Sequence, residues 1–413
     1  MLNQIAVFKR SAFNDQTVLQ ETTISCGSRR QIERFREEHM AKDIADDVAA
    51  PDYSLTGERA HHAVEAGLAA AEWYHSEIPR KTMKALMKRS DQPALRDTAI
   101  WVVLHIVFAA GGIALWGSWW ALPFWIAYGV IYGSVCDSRW HEAGHGTAFR
   151  TAWMNDVVYH IASFQVMRNP IAWRWSHARH PTDTIIVGRD PEIAWMHPIN
   201  LTFKALAYVG IVDAWRSLKI LYRQALGTFS ADEEDYVPES ERSKAVFWAR
   251  VPRAIYFATL ATALSILATG AGWASVIPLL LIGLPRVYGC WHMVMMGLLQ
   301  HGGLAEDVLD HRLNSRTVYI NPISSWIYWN MQYHIEHHMF PMVPYHALPK
   351  LHELIKDDLP PPNTSIADAY REMWTAVMRQ RKEPGYYVKK DLPPTAKPYR
   401  DELHQIVPDR SHG

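Results

Sequence analysis

The sequence of 413 residues has little cysteine, no net charge and no apolar segment at its N-terminus. Its three cysteines, Cys26, Cys136 and Cys290, are too few and too far apart for a disulfide framework or an iron–sulfur cluster. Because 42 basic residues balance 42 acidic ones, the chain lacks the basic footprint that a nucleic-acid partner requires. The missing N-terminal apolar segment argues against a cleavable signal peptide.

Charged residues are absent from two long stretches. No Asp, Glu, Lys or Arg occurs from Thr98 to Cys136 or from Ala254 to Pro285. A spanning helix takes about 20 residues, so each stretch, with its apolar continuation, has room for two spans joined by a turn. The turns would be "GSWW" and "TGAGW". The sequence therefore predicts four transmembrane helices in two hairpins. The alternative is a set of core helices in a soluble protein, where paired runs of this length are rare.

The basic residues lie on one side of the predicted hairpins. "RKTMKALMKR" precedes the first span and "RVPR" the third, whereas the two turns carry neither Lys nor Arg. The positive-inside rule therefore places both termini and the segment between the hairpins in the cytoplasm.

We expect an all-α integral membrane protein whose cytoplasmic helical cap holds the functional site. Its parts are a polar, partly disordered region at 1–52, a cytoplasmic helical segment at 53–97, a membrane catalytic domain at 98–360 and a cytoplasmic tail at 361–413. Helical patterns cover 53–88 and 365–381, and Met40 is an alternative start to Met1.

Eight of the 21 histidines fall in four short groups. "HEAGH" places two histidines four apart, "HARH" places two three apart, and "HIEHH" places three on one helical face. A further histidine follows the fourth predicted span in "QHGGLAED". All four groups are expected on the cytoplasmic side, so their side chains could converge. They are His141, His145, His177, His180, His301, His334, His337 and His338. So many imidazoles exceed what one tetrahedral zinc ion can use and favour two iron ions.

Two alternatives to an iron site remain open at this point. A single helical pair of histidines is more often a surface or core feature than a metal site. "HEAGH" is also the H-E-x-x-H pattern of zinc metalloproteases, in which Glu142 would be the base. An intramembrane protease would need only one further protein ligand and would leave "HARH" and "HIEHH" without a role.

The four groups resemble the histidine boxes of the membrane fatty acid desaturase superfamily, which also includes alkane and xylene hydroxylases. The resemblance runs from Arg96 to Glu353. It implies a diiron centre, with two iron ions per chain, that activates O2 and has the eight histidines as its ligands. The family pattern has a further histidine at position 181, where this chain has Pro181.

The segments "GRDPEI", "HRLNSRTVYINP" and "YWNMQYHIEHHMFPMVPYHALPKLHE" are similar to a bacterial subgroup that includes the hydrocarbon oxygenase of rhizopine catabolism. This resemblance implies an enzyme of the bacterial inner membrane with a cytoplasmic active site. It would use O2 and two external electrons to attack an unactivated C–H bond by hydroxylation, O-demethylation or desaturation. The alternatives are a fatty acid desaturase of lipid metabolism and a metal-poor relative that binds lipid or a partner.

The sequence shows no electron carrier of its own. It has no haem-binding segment, no cysteine cluster and no dinucleotide fingerprint after a strand. We therefore expect a ferredoxin (Rieske-type or other) or a rubredoxin, with an NAD(P)H reductase, as the partner, beside O2 and the lipid bilayer. The basic stretch from Arg80 to Arg89, or "VKKD" near Lys389, would dock an acidic carrier. Contact with lipid headgroups is the alternative role for these cations.

Acidic residues near the boxes are candidates for orienting the ligand imidazoles. The alternative for each is ordinary surface or helix-pairing charge. They are Glu142, Asp183, Asp190, Glu306 and Glu336.

Pro181 removes both an imidazole and a backbone donor, and it disfavours a helical conformation at His180. Three explanations are open. Asp183 or a water molecule fills the position, the site binds one iron weakly, or Pro181 is a sequence error, since one base change converts a His codon into a Pro codon.

Overall fold

The computed structural model describes residues 52–69 and 71–401, and the regular structure of these residues is helical throughout. No strand occurs in these ranges; two isolated bridges, Thr317 with Tyr333 and Val318 with Asn363, are the only β-type pairings. The predicted all-α class is therefore confirmed for the described residues. The alternative starts Met1 and Met40, and nearly all of the predicted polar region 1–52, lie outside them.

Nineteen α-helices follow one another in the described ranges. The first ten are α1 (Glu58–Glu65), α2 (Arg80–Leu86), α3 (Asp91–Ala114), α4 (Ala121–Gly133), α5 (Val135–Gly144), α6 (Ala152–Gln165), α7 (Pro170–Arg179), α8 (Leu201–Ala207), α9 (Ile211–Ala225) and α10 (Ala231–Tyr236). The others are α11 (Glu239–Ala268), α12 (Ile277–Leu281), α13 (Leu284–Tyr288), α14 (Trp291–His301), α15 (His311–Asn314), α16 (Pro322–Tyr328), α17 (His334–Met339), α18 (Leu348–Ile355) and α19 (Ile366–Gln380). Short 3₁₀ turns cover Gly272–Val276, Tyr345–Ala347 and Lys356–Asp358.

Two helical segments, Arg80–Ala114 and Glu239–Ala268, are long and apolar enough to cross a membrane. Both expose large apolar side chains: Val103 on α3 is 55% exposed and Phe257 on α11 is 74% exposed. A helix that exposes such a surface is typical of contact with lipid rather than with a protein core. Trp119, in the turn after α3, is 90% exposed, as expected for an aromatic residue at a membrane interface.

The second half of each predicted hairpin, called its return arm below, differs from a continuous spanning helix. The first, α4, has 13 residues, and the second is divided between α12, α13 and α14. Gly283, with φ +92, separates α12 from α13. The two return arms meet closely, because a Cβ on Gly289 would lie 1.9 Å from the carbonyl oxygen of Gly129. The arms are thus shaped by packing on each other, and the four-span topology stays a prediction.

The helical pattern predicted for 53–88 is only partly present. Helices form at 58–65 and 80–86, but residues 71–79 run without regular structure. Tertiary contacts account for this. The Trp73 indole donates to the carbonyl of Thr182 at 3.0 Å, and its ring stacks on His311 at 4.2 Å between centroids. In contrast, α19 forms where a helix was predicted, with Ser365 as its N-cap.

Buried arginines join the short helices that surround the site. Arg139 on α5 donates to the carbonyl of Ile327 at 2.5 Å and lies 4.5 Å from the ring centroid of Trp329. Arg312 pairs with Asp310 at 2.7 Å, and both side chains are fully buried. The Arg139 contacts join α5, which carries His141, to α16, and the Arg312–Asp310 pair stabilises the start of α15. Removing one partner of a buried ion pair typically costs about 3–5 kcal/mol.

Candidate metal centre

Eight histidines from four separate segments converge in the structure. His141 lies on α5 with His145 as the C-cap residue, and His177 lies on α7 with His180 as the C-cap residue. His301 is the last residue of α14, and the remaining three lie on α17: His334, His337 and His338. The helical spacing seen in the sequence puts each pair on one face, and the fold brings the faces together.

The first group comprises His141, His145 and His337, and one ring nitrogen from each of them lies within 4.8 Å of the other two. The closest approach is 2.8 Å, between the Nε2 atoms of His141 and His337. His177 joins this group, since its Nε2 is 3.1 Å from Nε2 of His145.

The second group comprises His180, His301 and His338, and again one ring nitrogen from each lies within 4.8 Å of the other two. His334 adjoins it through Nε2, at 3.1 Å from His301 and 3.0 Å from His338. The rings of His334 and His337 lie 6.0 Å apart, so the two groups are neighbours.

The donor set fits a metal ion in each group. Burial lowers the pKa of His141, His145, His334 and His338 well below the usual value, and neighbouring imidazoles lower it further. Neutral imidazoles present lone pairs, and several Nε2 atoms facing each other at about 3 Å need a shared cation or proton between them. Imidazole nitrogen is a suitable ligand for iron, zinc and copper.

Carboxylates bond the outer nitrogen of two of these imidazoles. Nδ1 of His180 lies 2.8 Å from Asp190, and Nδ1 of His177 lies 3.0 Å from Glu192. Burial alone would lower the pKa of His180, but the charge and hydrogen bond of Asp190 raise it to about 9. Such a contact fixes the tautomer and the ring orientation of a metal ligand. Asp190 was a sequence candidate. Glu192 was missed, although it lies two residues further on in the same acidic segment, "GRDPEI".

The backbone and a hydroxyl group complete the outer contacts of the second group. Nδ1 of His301 lies 2.7 Å from the carbonyl of Asn314, which fixes it as the donor, and Nδ1 of His338 lies 3.1 Å from the Thr184 hydroxyl. A further buried imidazole, His311, stacks on His338 with 5.1 Å between centroids. His311 lies outside the spaced groups, at the start of the segment "HRLNSRTVYINP", and the fold brings it to the site.

Two of the acidic candidates join helices together. Glu142 accepts the backbone N–H of Tyr345 at 3.0 Å, and Glu336 accepts the Thr317 hydroxyl at 2.6 Å and pairs with His352. Burial raises the pKa of Glu142 to about 7. These carboxylates connect the helices that carry the histidines to neighbouring segments, and their bonding partners are not imidazoles of the histidine boxes.

The other two candidates form contacts outside the boxes. Asp183 pairs with Arg179 at 3.4 Å and with Arg189 at 3.1 Å. Glu306 accepts the Tyr53 hydroxyl at 2.7 Å. Asp183 is therefore engaged by two arginines, which weakens the explanation in which it fills the place of a ligand at position 181.

Pro181 leaves His180 in a helical conformation, contrary to the effect predicted from the sequence. His180 has φ −52 and ψ −47, and its backbone N–H donates to Ser176 at 3.1 Å. The Asp190 contact and a 2.8 Å bond from the Thr184 hydroxyl to the His180 carbonyl hold this residue in place. Local steric preference is overridden here by tertiary hydrogen bonds.

Comparison with known proteins agrees with this geometry. The model of the family described as "Fatty acid desaturase" matches residues 117–370. The sn-2 acyl-lipid omega-3 desaturase (ferredoxin), chloroplastic, of Helianthus annuus is 24% identical over 306 residues, which are 68% of this chain and 64% of that protein. The match thus spans slightly less than two thirds of the plant protein. The Delta(12) fatty acid desaturase fat-2 of Caenorhabditis elegans is 30% identical over 94 residues, 23% of each chain.

The matched range includes all four histidine groups and more than half of the chain. The resemblance inferred from the histidine boxes is confirmed. The convergence of the groups, their outer hydrogen bonds and the family match lead to one conclusion: the chain belongs to the fatty acid desaturase family, whose members are membrane-associated, iron-dependent oxidoreductases.

Proposed function

We propose that this protein is a diiron oxidoreductase of the desaturase type, which uses O2 and two external electrons to oxidise an unactivated C–H bond. The observation that carries the proposal is the meeting of eight imidazoles, six of them buried, from four segments in two adjacent groups. One tetrahedral zinc ion, as in a protease, would leave most of these imidazoles without a role.

The first iron would be held by His141, His145, His177 and His337, and the second by His180, His301, His334 and His338. Bound iron would supply O2 activation and the oxidising power for C–H cleavage. Each group takes residues from at least two helices. The site therefore depends on the folded arrangement rather than on one segment.

The chain's own residues orient the imidazoles and keep water away. Asp190 and Glu192 hold the protons on Nδ1 of His180 and His177, so that Nε2 points inward. The Trp140 ring packs edge-on against His177 at 5.0 Å between centroids. An apolar wall of this kind lowers the local dielectric and limits solvent access.

The membrane arrangement forms part of the proposal. The proposed arrangement has four spans in two hairpins, with the termini and the site in the cytoplasm of a bacterial cell. It agrees with the positions of the basic residues that precede α3 and lie within α11. The two long apolar segments and their exposed aliphatic faces support this placement.

The electrons are proposed to come from a separate carrier of the ferredoxin type. The name of the Helianthus annuus relative includes a ferredoxin. Of the two basic stretches considered for docking, Arg80–Arg89 offers exposed lysines, whereas Lys389 pairs with Asp401 and Lys390 with Glu372 at 3.1 Å. The first stretch is therefore the better docking candidate.

The reaction outcome is tested directly with the purified protein, a ferredoxin and its reductase. Acyl lipids, alkanes and methylated polar compounds are supplied under ¹⁸O₂, and products are analysed by mass spectrometry. An alkene product indicates desaturation, and an ¹⁸O-labelled alcohol indicates hydroxylation. Loss of a methyl group indicates O-demethylation, as the rhizopine-type hypothesis requires. Absence of oxygen-dependent product with every class would contradict the proposed function.

A further inference from the structure

A groove of about 520 Å³ lies between α9 and α11, and we call it the α9–α11 groove. Leu218, Leu221 and Tyr256 form its apolar floor, where the two helices pack on each other. Its other lining side chains are two aromatic and two cationic ones: Trp215, Tyr222, Lys219 and Arg253. No histidine lines the groove, so it is not part of the candidate metal centre.

The sides of the groove expose aromatic and aliphatic surface. Trp215 is 61% exposed and Tyr222 is 58% exposed. On α11 the exposed side chains of Phe257, Leu260 and Leu264 follow at helical spacing along one face. In a membrane-associated chain, an exposed apolar surface of this kind is typical of contact with acyl chains.

The two cations of the groove lie beside its aromatic rings. The Lys219 Nζ is 5.8 Å from the centroid of the Trp215 ring, and the Arg253 Cζ is 5.9 Å from that of Tyr222. Among the described residues, no carboxylate forms an ion pair with either cation. The two helices offer none nearby, because no Asp or Glu occurs at 214–231 or 242–305. The groove therefore presents two positive charges that have no negative partner within the described chain.

The position of Arg253 along α11 gives the depth of these charges. Arg253 is the last charged residue before the charge-free stretch at 254–285. A basic residue at the end of an apolar span lies at the level of the lipid headgroups. Trp215 and Lys219 on α9 line the same groove, and this combination of side chains is also typical of the membrane interface.

We propose that the α9–α11 groove binds one anionic phospholipid. Its phosphate accepts hydrogen bonds from Lys219 and Arg253, and one acyl chain lies along the exposed face of α11 that begins at Phe257. Charge complementarity and the continuity of the groove with this apolar face favour such a lipid over a soluble anion. The inference requires the chain to lie in a membrane, and it does not depend on the proposed oxidation.

Lipid binding to the purified full chain tests the proposal without turnover. Native mass spectrometry in a neutral detergent is carried out with dioleoyl phosphatidylglycerol and with dioleoyl phosphatidylcholine. The two lipids have the same acyl chains and differ in net charge, so acyl binding elsewhere in the protein contributes to both titrations. We expect the first phosphatidylglycerol to bind about tenfold more tightly than phosphatidylcholine, as two cations near the membrane surface allow.

Two double variants complete the test. In Lys219→Gln with Arg253→Gln, the affinity ratio between the two lipids should fall to about one. The matched control is Arg216→Gln with Lys244→Gln, which removes one cation from each of the same helices outside the groove. The ratio should persist in this control.

A ratio near one in the parent protein, an unchanged ratio in the groove variant, or an equal fall in the control variant would overturn the proposal. Displacement of bound phosphatidylglycerol by an acidic ferredoxin would also overturn it and assign the groove to a carrier protein. Failure of the proposed function is a separate result, namely no oxygen-dependent product while the lipid preference and its loss in the groove variant persist.

Discussion

Nδ1 of His180 lies 2.8 Å from a carboxylate oxygen of Asp190, and both side chains are buried. This contact connects the second histidine box with an acidic segment ten residues further along the chain. It gives His180 a defined tautomer and a fixed ring plane, although Pro181 follows directly. The site is therefore organised by its outer hydrogen bonds as well as by the spacing of its histidines.

Asp190→Asn should lower iron affinity about 10- to 100-fold, the usual effect of losing the partner that orients a ligand imidazole. Metal titration of the apoprotein measures this change. Asp183→Asn is the matched control, because Asp183 is a nearby buried acid that pairs with Arg179 and Arg189. Equal losses in the two variants would mean that a general charge effect, rather than the His180 contact, determines affinity.

Glu192→Gln should weaken the first group in the same way, because Glu192 contacts His177 at 3.0 Å. The expected loss of iron affinity is again about 10-fold or more, with the fold retained as judged by circular dichroism. Full iron affinity in Glu192→Gln would show that His177 needs no carboxylate to act as a ligand. Glu192 also accepts the Ser176 hydroxyl, and Ser176→Ala tests that contact separately.

Pro181→His should raise the iron content or the activity, if position 181 is a ligand site that lost its imidazole. The backbone of His180 is already helical, so the variant needs little rearrangement. Iron analysis and turnover are measured side by side for both proteins. A decrease in both quantities would show that the proline is native to a working site and that the ligand assignment at this box is wrong.

Glu336→Ala should destabilise the fold by about 3–5 kcal/mol, since it breaks a fully buried contact with His352 and Thr317. Thermal unfolding of the metal-free protein measures the effect apart from iron binding. Glu353→Ala is the control, because its pair with Lys356 is exposed to solvent. Similar melting temperatures for the two variants would contradict a stabilising role of the Glu336 contacts in the fold.

Replacing Lys81, Lys84 and Lys88 by glutamate should lower kcat/KM for a ferredoxin donor about tenfold at low salt, because charge complementarity mainly affects association. Turnover with a small chemical reductant should change little. Lys389→Glu is the comparison, since Lys389 already pairs with Asp401. Unchanged kinetics in the triple variant would assign the basic stretch to lipid headgroups instead.

The histidine groups were predictable because their spacing is a local property of helices. "HEAGH", "HARH" and "HIEHH" each form a shared face that the sequence displays directly. Glu192 and His311 were not predicted as site residues. Glu192 contacts His177 and His311 stacks on His338, and both are brought there by loops whose path the sequence does not indicate. Residues 71–79 lack regular secondary structure for a similar reason, because the Trp73 indole donates to Thr182, more than a hundred positions away.

The apolar segments were predictable in extent but not in form. The absence of charge marks the segments, and the outgoing arms α3 and α11 are long helices, as expected. The return arms are short or divided, and they pack so closely that the backbones of Gly129 and Gly289 are in contact. Hydropathy reports which residues avoid water, and it carries little information about how two apolar segments pack on each other.

Iron content per chain tests the central claim most directly. We expect elemental analysis of the purified protein to give about two iron ions per chain, one for each imidazole group, with zinc near background. His145→Ala and His301→Ala, one from each group, should each lose iron, and together they should lose nearly all of it. Stoichiometric zinc in place of iron, or near-zero metal in an active and folded protein, would contradict the account.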